Sequence, residues 1–149
     1  MIILIDTREQ SFLDFPFEFI TGVKREKLIV GDYQAEFQNG YRPPLIFERK
    51  SINDLYGTLG NGYKRFKKEI IRAKENNIRL VIVIEGSMLK VSKGIKMSDM
   101  SGTLIIKRLF TLWIKHDVCM VFCNSREEMA SYIYETYCAI GRLLKKEKK

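Results

Sequence analysis

Two short runs of aliphatic residues place the strongest constraint on how this chain can fold. Ile2–Ile5 and residues 80–84 are apolar at every position and contain many β-branched side chains. A strand that is apolar on both faces must be covered on both faces, which requires a layer of helices on each side of the sheet. The chain is therefore predicted to be an α/β protein with a mixed central β-sheet flanked by α-helices.

The remaining elements follow from turn residues and helical periodicity. Residues 27–37 and 45–49 are predicted to be strands joined by a hairpin, because Gln38-Asn39-Gly40 supplies the positive φ angles of a tight turn. Capping boxes that begin at Ser51 and Ser125 predict helix starts. Apolar spacing predicts further helices over residues 63–76 and 103–115, and a last strand over residues 118–122.

The length and the composition together predict one domain and a short tail. With 149 residues and 46% hydrophobic side chains, the chain can bury one normal core. No repeat or linker interrupts residues 1–144, and residues 145–149 form a basic C-terminal tail that is expected to be solvated. The chain contains 26 Lys and Arg against 18 Asp and Glu, a net charge of +8, which favours a polyanionic partner. Charge alone does not separate that partner from a merely basic soluble protein.

The most informative residues are Asp32, Glu48 and Lys50. Positions i and i+2 of a strand project from the same face, so Glu48 and Lys50 are expected to be neighbours. Asp32 lies on the other arm of the predicted hairpin and can meet them across the strand pair. Two converging carboxylates repel each other unless a cation lies between them, and Mg²⁺ prefers such oxygen ligands. The alternative is an ordinary surface ion pair at the end of a strand.

The full pattern resembles the signature of the XPF-type structure-specific nuclease family, a branch of the restriction-endonuclease-like fold. The residues that carry the resemblance are Gly31-Asp32, Glu48-Arg49-Lys50 and Asp54, with a similar opening segment at Asp6-Thr-Arg8-Glu9. The similarity extends over roughly residues 2–140 and includes Val83-Ile84-Glu85-Gly86.

This resemblance implies metal-dependent cleavage of branched or flapped DNA, in the context of DNA repair and recombination. Asp32 and Glu48 would be metal ligands, Lys50 the catalytic lysine, and Asp6 a further ligand at the rim, direct or through water. Arg8 and Arg49 would contact phosphate or brace the carboxylates. Asp54 would belong to the active-site cluster. For Asp6 and Asp54 a structural role as a turn or cap residue is the alternative. The expected cofactor is Mg²⁺, which Mn²⁺ is expected to replace.

A basic helix surface follows the motif and is predicted to run along DNA, although such charges often only face solvent. Its members are Lys64, Arg65, Lys67, Lys68 and Arg72. The resemblance also implies a homodimer, or a heterodimer with a related subunit.

Two competing functions remain open from the sequence. One is a non-catalytic DNA-binding or scaffold subunit with a nuclease-like fold, and the other is an RNA-processing enzyme. Three cysteines without a C-x-x-C pair, and an opening without a basic leader, predict reduced core thiols and a cytoplasmic protein, or a nuclear one in a eukaryote. No apolar run is long enough to cross a membrane.

Overall fold

Both aliphatic runs form strands that are covered on each face. The computed structural model describes residues 1–147, and the two runs lie in strand β1 (Ile2–Ile5) and strand β5 (Arg79–Glu85). In β5, Leu80, Ile82 and Ile84 pack into one hydrophobic core, and the alternating residues Val81 and Val83 pack into a second core on the opposite face. The prediction of a two-sided α/β architecture is confirmed.

The sheet has six strands in the order β2-β1-β3-β4-β5-β6. The other four strands are β2 (Gly22–Arg25), β3 (Tyr33–Glu36), β4 (Leu45–Ser51) and β6 (Cys119–Cys123). Strand β3 is antiparallel to both of its neighbours, β1 and β4, while the pairs β1–β2, β4–β5 and β5–β6 are parallel. The sheet is therefore mixed, as predicted.

The helices are divided unequally between the two faces. Four of them pack on one face: α1 (Ile52–Leu59), α2 (Tyr63–Glu75), α3 (Met88–Ser92) and α4 (Gly102–His116). The fifth, α5 (Arg126–Glu147), covers the other face. Both predicted capping serines act as expected, because Ser51 Oγ accepts the N–H of Asp54 and Ser125 Oγ accepts the N–H of Glu128.

The strand predicted over residues 27–37 is wrong in its extent. Only Tyr33–Glu36 is a strand, and the edge strand Gly22–Arg25 was not predicted. The N–H of Leu28 is bonded to the Asp6 side chain instead of a neighbouring strand, and Gly31 has a φ of +70°, which interrupts an extended chain. Strand β2 was missed because Val23, Lys24 and Arg25 are all exposed, so it lacks the apolar pattern of a core strand.

Three further details differ from what the sequence indicated: the loop after β5, the C-terminal tail and the position of one cysteine. The loop after β5 contains the short helix α3, and α5 continues through residues 145–147 of the predicted tail. Residues 148–149 lie outside the described residues. The cysteines are free, but Cys119 is exposed and so is not a core thiol. Within residues 1–147 every helix is too short or too polar to span a bilayer.

Candidate functional site

The hairpin brings Asp32 directly across from Glu48. Tyr33 of β3 pairs with Phe47 of β4, and the N–H of Asp32 donates to the carbonyl oxygen of Phe47 at 2.7 Å. Continuing this antiparallel register by one residue sets Asp32 opposite Glu48. The pairing of β3 with β4 therefore places the two carboxylates opposite each other, as the sequence predicted.

Gly31 is required for this approach. Its φ is +70°, and a Cβ atom at this position would lie 2.5 Å from Ile46 Cγ2 and 3.0 Å from the carbonyl oxygen of Phe47. Any side chain would therefore be strained and would also collide with β4. The glycine lets the chain turn tightly against β4 just before Asp32.

Glu48 is buried and Asp32 is half-buried beside it, and the charge of Glu48 opposes the ionisation of Asp32. Glu48 is only 7% exposed. Burial, followed by the negative charge of Glu48, raises the pKa of Asp32 to about 8, although the N–H of Arg49 donates to Asp32 Oδ2 at 2.7 Å. Burial is also the main cause that raises the pKa of Glu48, against the attraction of Lys50. Without a cation, the pair is an electrostatically unfavourable arrangement at neutral pH.

Lys50 supplies the positive charge beside this pair. Its Nζ lies 2.7 Å from Glu48 Oε1 and 5.7 Å from the centre of the Phe66 ring. Burial opposes the charged form, but Glu48 more than compensates, so the pKa of Lys50 is raised. The predicted i, i+2 neighbour relationship of Glu48 and Lys50 is observed, and the amine stays protonated.

Arg49 points to the opposite face of the sheet from Glu48 and Lys50. Its Nε and one terminal nitrogen contact the two oxygens of Glu9 at 2.9 and 3.1 Å, and both side chains are buried. The hydroxyl of Tyr33 also lies within 3.5 Å of Glu9. Of the two roles predicted for Arg49, the bracing of a carboxylate is the one that the structure displays.

The carboxylate of Asp6 is engaged by other partners than a metal site, so its role as a ligand at the rim stays a prediction. Its carboxylate is 1% exposed and accepts bonds from the N–H groups of Arg8 and Leu28, at 2.9 and 2.7 Å, and from the Arg8 guanidinium at 2.6 and 3.1 Å. Although burial opposes it, these donors lower the pKa of Asp6. Both oxygens are therefore used in anchoring the loop before β3. Arg8 likewise braces Asp6, although most of its side chain stays accessible.

Asp54 lies in the first turn of α1, at the mouth of a cleft. Its N–H is capped by Ser51, as predicted, while its exposed carboxylate lines a cleft of about 420 Å³ between α1 and α2. Glu48 and Lys50 line the same cleft. The negative charge of Asp54 contributes to the raised pKa of Lys50. The structure shows the capped position of Asp54 and its place in the cleft, while its membership of an active-site cluster stays a prediction.

Glu69 is an acidic member of the cleft that the sequence analysis missed. It extends from α2 toward Glu48, and its charge contributes to the raised pKa of that residue. It also acts on Arg8, whose pKa it helps to raise. Glu69 could have been identified in the sequence from its spacing of four residues from Arg65, which puts both side chains on one face of the helix, toward the cleft.

The five residues of the predicted basic surface on α2 have different environments in the structure. Arg65 lines the cleft, and Lys64, Lys68 and Arg72 are exposed. Lys67 instead lies 4.7 Å from the centre of the Tyr63 ring. Within residues 1–147, none of these five forms a salt bridge with a carboxylate. Four basic side chains of α2, of which Arg65 shares the cleft with Glu48, therefore stay available to a polyanion.

The donor set fits a hard divalent cation that keeps part of its hydration. Within the described chain, no group of three or more His, Cys, Asp and Glu side chains is arranged to hold a metal ion by itself. Asp32 and Glu48 offer carboxylate oxygens only, and a cation between them would relieve their repulsion. Mg²⁺ is commonly bound by one or two carboxylates and completes its octahedron with water and phosphate oxygens.

Comparisons with known proteins agree with the fold. The family model described as "ERCC4 domain" matches residues 5–136. No curated protein sequence matches the chain. Among solved structures, XPF from Aeropyrum pernix is similar with a TM-score of 0.72 and 18% identity, over 99% of this chain and 69% of that one. The structure of XPF from Aeropyrum pernix in complex with DNA gives a TM-score of 0.69 and 19% identity, over 98% of this chain and 66% of that one. The chain thus spans about two thirds of these similar structures.

Proposed function

Because the chain belongs to the ERCC4 domain family, we propose that it is a divalent-metal-dependent DNA endonuclease. It would hydrolyse phosphodiester bonds in branched or flapped DNA. The observation that carries the proposal is the pair formed by half-buried Asp32 and buried Glu48, with the amine of Lys50 against it. A purely structural domain has no need for two adjacent carboxylates whose pKa values are both raised. Such an arrangement is typical of a functional site.

Asp32 and Glu48 would hold Mg²⁺ between them, and Mn²⁺ is expected to replace it. When bound, the ion would polarise a phosphate oxygen and lower the pKa of a bound water. Asp32 is fixed for this role by the N–H of Arg49 on one of its oxygens, which leaves the other oxygen free to coordinate. Glu48 is fixed in the same way by Lys50 at its Oε1.

Lys50 would orient the attacking water and offset the charge that develops on the phosphate. Its raised pKa keeps the amine protonated, so it acts as a donor and a positive charge and not as a base. The Phe66 ring beneath it, and its ion pair with Glu48, restrict its motion. The amine is thereby held ready at the edge of the cleft before DNA arrives.

The cleft and α2 would bind the DNA backbone. Arg65 lines the cleft beside Glu48, and Lys68 and Arg72 lie further along the same helix. Their positive charges are exposed and would replace the counterions of successive phosphates. The similar protein from Aeropyrum pernix was solved in complex with DNA, which supports DNA as the polyanion.

Cleavage of a labelled flap and of the matching linear duplex, with Mg²⁺, with Mn²⁺ and with EDTA, tests this function. The native protein is expected to cut the flap only when metal is present. Asp32→Asn should abolish cleavage, and Lys50→Ala should reduce it by roughly 10²–10³-fold. Lys115→Ala, an exposed lysine on α4, is the matched control and should cut normally. No metal-dependent cutting by the native protein, or full activity in both site variants, would refute the proposal.

The second candidate is a DNA-binding scaffold subunit without catalytic activity. The exposed basic residues of α2 would serve such a role equally well, so binding to DNA does not separate the two functions. The acidic pair does separate them. A scaffold would bind flapped DNA in a salt-dependent manner and would not cleave it with any metal. Glu48→Gln would not change its affinity for DNA. Matched RNA substrates in the same assay test the RNA-processing alternative.

A second copy of the chain, or a related subunit, is proposed as the protein partner. The apolar stripe of α5 is occupied by the protein's own core, since Met129, Ile133 and Tyr137 are fully buried. Trp113 and Ile114 on α4 are instead large apolar residues with substantial exposure. We expect sedimentation to detect a dimer that Ile114→Glu weakens, with Thr111→Glu on the same helix as the control.

A further inference from the structure

A second cavity of about 270 Å³ lies beside the catalytic cleft, between α1 and the loop that precedes α4. Helix α1 and the turn after it supply one wall and the loop supplies the other. The lining residues are Asn53, Tyr56, Gly57, Asn61, Ile95, Met97, Ser98 and Met100. Its volume is below the ~300–1,000 Å³ of pockets that enclose a drug-sized ligand, so it suits one small planar group.

The cavity adjoins the cleft that contains Glu48 and Lys50. Asn53 and Gly57 line both spaces. A Cβ atom at Gly57 would meet nothing within 4 Å, so no side chain closes the boundary there. A polymer with its backbone in the cleft can therefore extend one of its side groups into the cavity.

The lining combines apolar walls with hydrogen-bonding groups. Tyr56, Ile95, Met97 and Met100 provide the apolar surface, and Met97 is 85% exposed, so it contributes little to the protein's own core. The amides of Asn53 and Asn61 and the hydroxyl of Ser98 can each donate or accept a hydrogen bond. A nucleobase has both a flat apolar face and a polar edge of this kind.

The walls of the cavity are held in place by several hydrogen bonds. The Tyr56 hydroxyl donates to the carbonyl oxygen of Val91, and the N–H of Met100 donates to Ser98 Oγ at 3.2 Å. Arg108 donates to the carbonyl oxygens of Leu59 and Gly60 at 2.6 and 3.3 Å, which ties the end of α1 to α4. The cavity is therefore largely formed before any ligand enters.

Exposed charge on the same loop indicates what kind of ligand enters. Lys93 and Lys96 are both exposed, and within the described residues neither forms a salt bridge. They flank Ile95 in the lining and would meet a phosphate outside the cavity. Asp99, also exposed on this loop, offsets one of the two lysines, and the remaining positive charge complements a nucleic acid strand and not an isolated apolar ligand.

We propose that this cavity receives an unpaired nucleobase of the DNA strand whose backbone occupies the catalytic cleft. The proposal rests on the proposed nuclease function and identifies how the site recognises its substrate. A base that is stacked and paired in a duplex cannot enter, because its edge and faces are already occupied. The cavity would therefore favour DNA that is unpaired next to the bond to be cut.

The test uses 2-aminopurine, a fluorescent adenine analogue, placed at successive single positions of a flap and of the matching linear duplex. The native protein with EDTA is titrated into each DNA. At one unpaired position beside the flap junction, binding is expected to change the fluorescence, and no position of the duplex should respond. Ser98→Phe fills the cavity and should remove the response and weaken flap binding roughly tenfold. Its duplex affinity should stay unchanged.

Two further variants make the result interpretable. Thr111→Phe adds the same ring at an exposed α4 position that lines neither space, and should behave as the native protein does. Asn61→Ala removes one amide without adding bulk and should weaken the fluorescence response. It provides the test if Ser98→Phe fails to fold. A native protein that gives no response at any position, or an unchanged response in both cavity variants, overturns the proposal.

Cleavage of the same DNAs with Mg²⁺ separates this proposal from the nuclease function. A fluorescence response that Ser98→Phe removes, without cleavage by the native protein, supports the cavity and refutes the nuclease. If the native protein cleaves the DNA and Ser98→Phe cleaves both flap and duplex at the native rates, the cavity proposal is refuted and the nuclease function stands.

Discussion

The guanidinium of Arg49 and the carboxylate of Glu9, 40 positions apart in the sequence, form a buried two-point ion pair on the face of the sheet opposite Lys50. The main-chain N–H of the same arginine holds Asp32. One residue therefore connects the loop after β1 to the acidic pair on the other face. Arg49→Ala is expected to cost roughly 3–5 kcal/mol of unfolding free energy, because it leaves Glu9 buried without a partner. Urea titration measures this decrease.

The double variant Arg49→Met with Glu9→Leu distinguishes a coupled ion pair from two independent contributions. Replacing both charges by apolar groups should recover much of the stability that Arg49→Ala removes. A loss in the double variant equal to the sum of the losses in Arg49→Met and Glu9→Leu would mean that the two residues contribute separately.

Gly31→Ala should destabilise the protein by roughly 3 kcal/mol or more, because it combines a positive φ with a collision against Ile46 and the Phe47 carbonyl oxygen. Gly40→Ala is the matched control. It has a similar φ of +77° but nothing within 4 Å of the added atom, so its cost should be about 1 kcal/mol. Equal decreases in the two variants, measured by urea unfolding, would contradict the proposed close packing of Gly31 on β4.

Glu69→Gln should increase the Mg²⁺ concentration needed for half-maximal cleavage several-fold, while the rate at saturating Mg²⁺ changes little. The reason is that Glu69 adds negative potential at Glu48 without forming part of the acidic pair. Glu75→Gln makes the same charge change at an exposed position of the same helix and should have no effect. A decrease in rate that excess Mg²⁺ cannot restore would instead make Glu69 part of the reacting centre.

The contribution of Asp32 to the stability of the metal-free protein should fall as pH rises from about 4 to about 8. Asp32 has a pKa of about 8 in the folded chain, above its ordinary value of 3.8. The folded state therefore binds this proton more tightly than the unfolded state. Its contribution is complete below the lower value and disappears as pH rises through the upper one.

Asp32→Asn removes this ionisation and should stabilise the metal-free protein at pH 8 by roughly 1–3 kcal/mol. Mg²⁺ should stabilise the native protein at the same pH and have no effect on the variant. Thermal melts between pH 4 and 9, with and without Mg²⁺, provide the measurement. The difference between the native and Asp32→Asn profiles isolates Asp32 from the other titrating groups, and a flat difference across this range would show that the two carboxylates do not repel each other.

The double variant Lys68→Ala with Arg72→Ala should lower the salt dependence of DNA binding. For each phosphate that the variant no longer neutralises, the slope of log K against log salt should decrease by about 0.9. Lys67→Ala should change the slope less, because its amine lies over the Tyr63 ring and away from the cleft. Fluorescence anisotropy at several salt concentrations measures the slopes, and a larger change from Lys67→Ala would reverse this assignment.

The sequence determined the parts of this protein that depend on local physics. Uninterrupted aliphatic strands required helices on both faces, and the i, i+2 spacing of Glu48 and Lys50 put them on one side of β4. The turn at Gly40 and the caps at Ser51 and Ser125 are also local, since each is fixed by the conformation of a few adjacent residues.

Only the tertiary structure decided which charged groups meet across distant segments. Asp6 carries the same carboxylate as Asp32, yet four donors from Arg8 and Leu28 engage it, while Asp32 faces Glu48. Glu69 reaches the site because α2 packs over β4, and Arg49 is paired to Glu9 because β4 faces the loop after β1. Side-chain partners of this kind depend on long-range packing, burial and the competition among donors, which residue type and spacing do not encode.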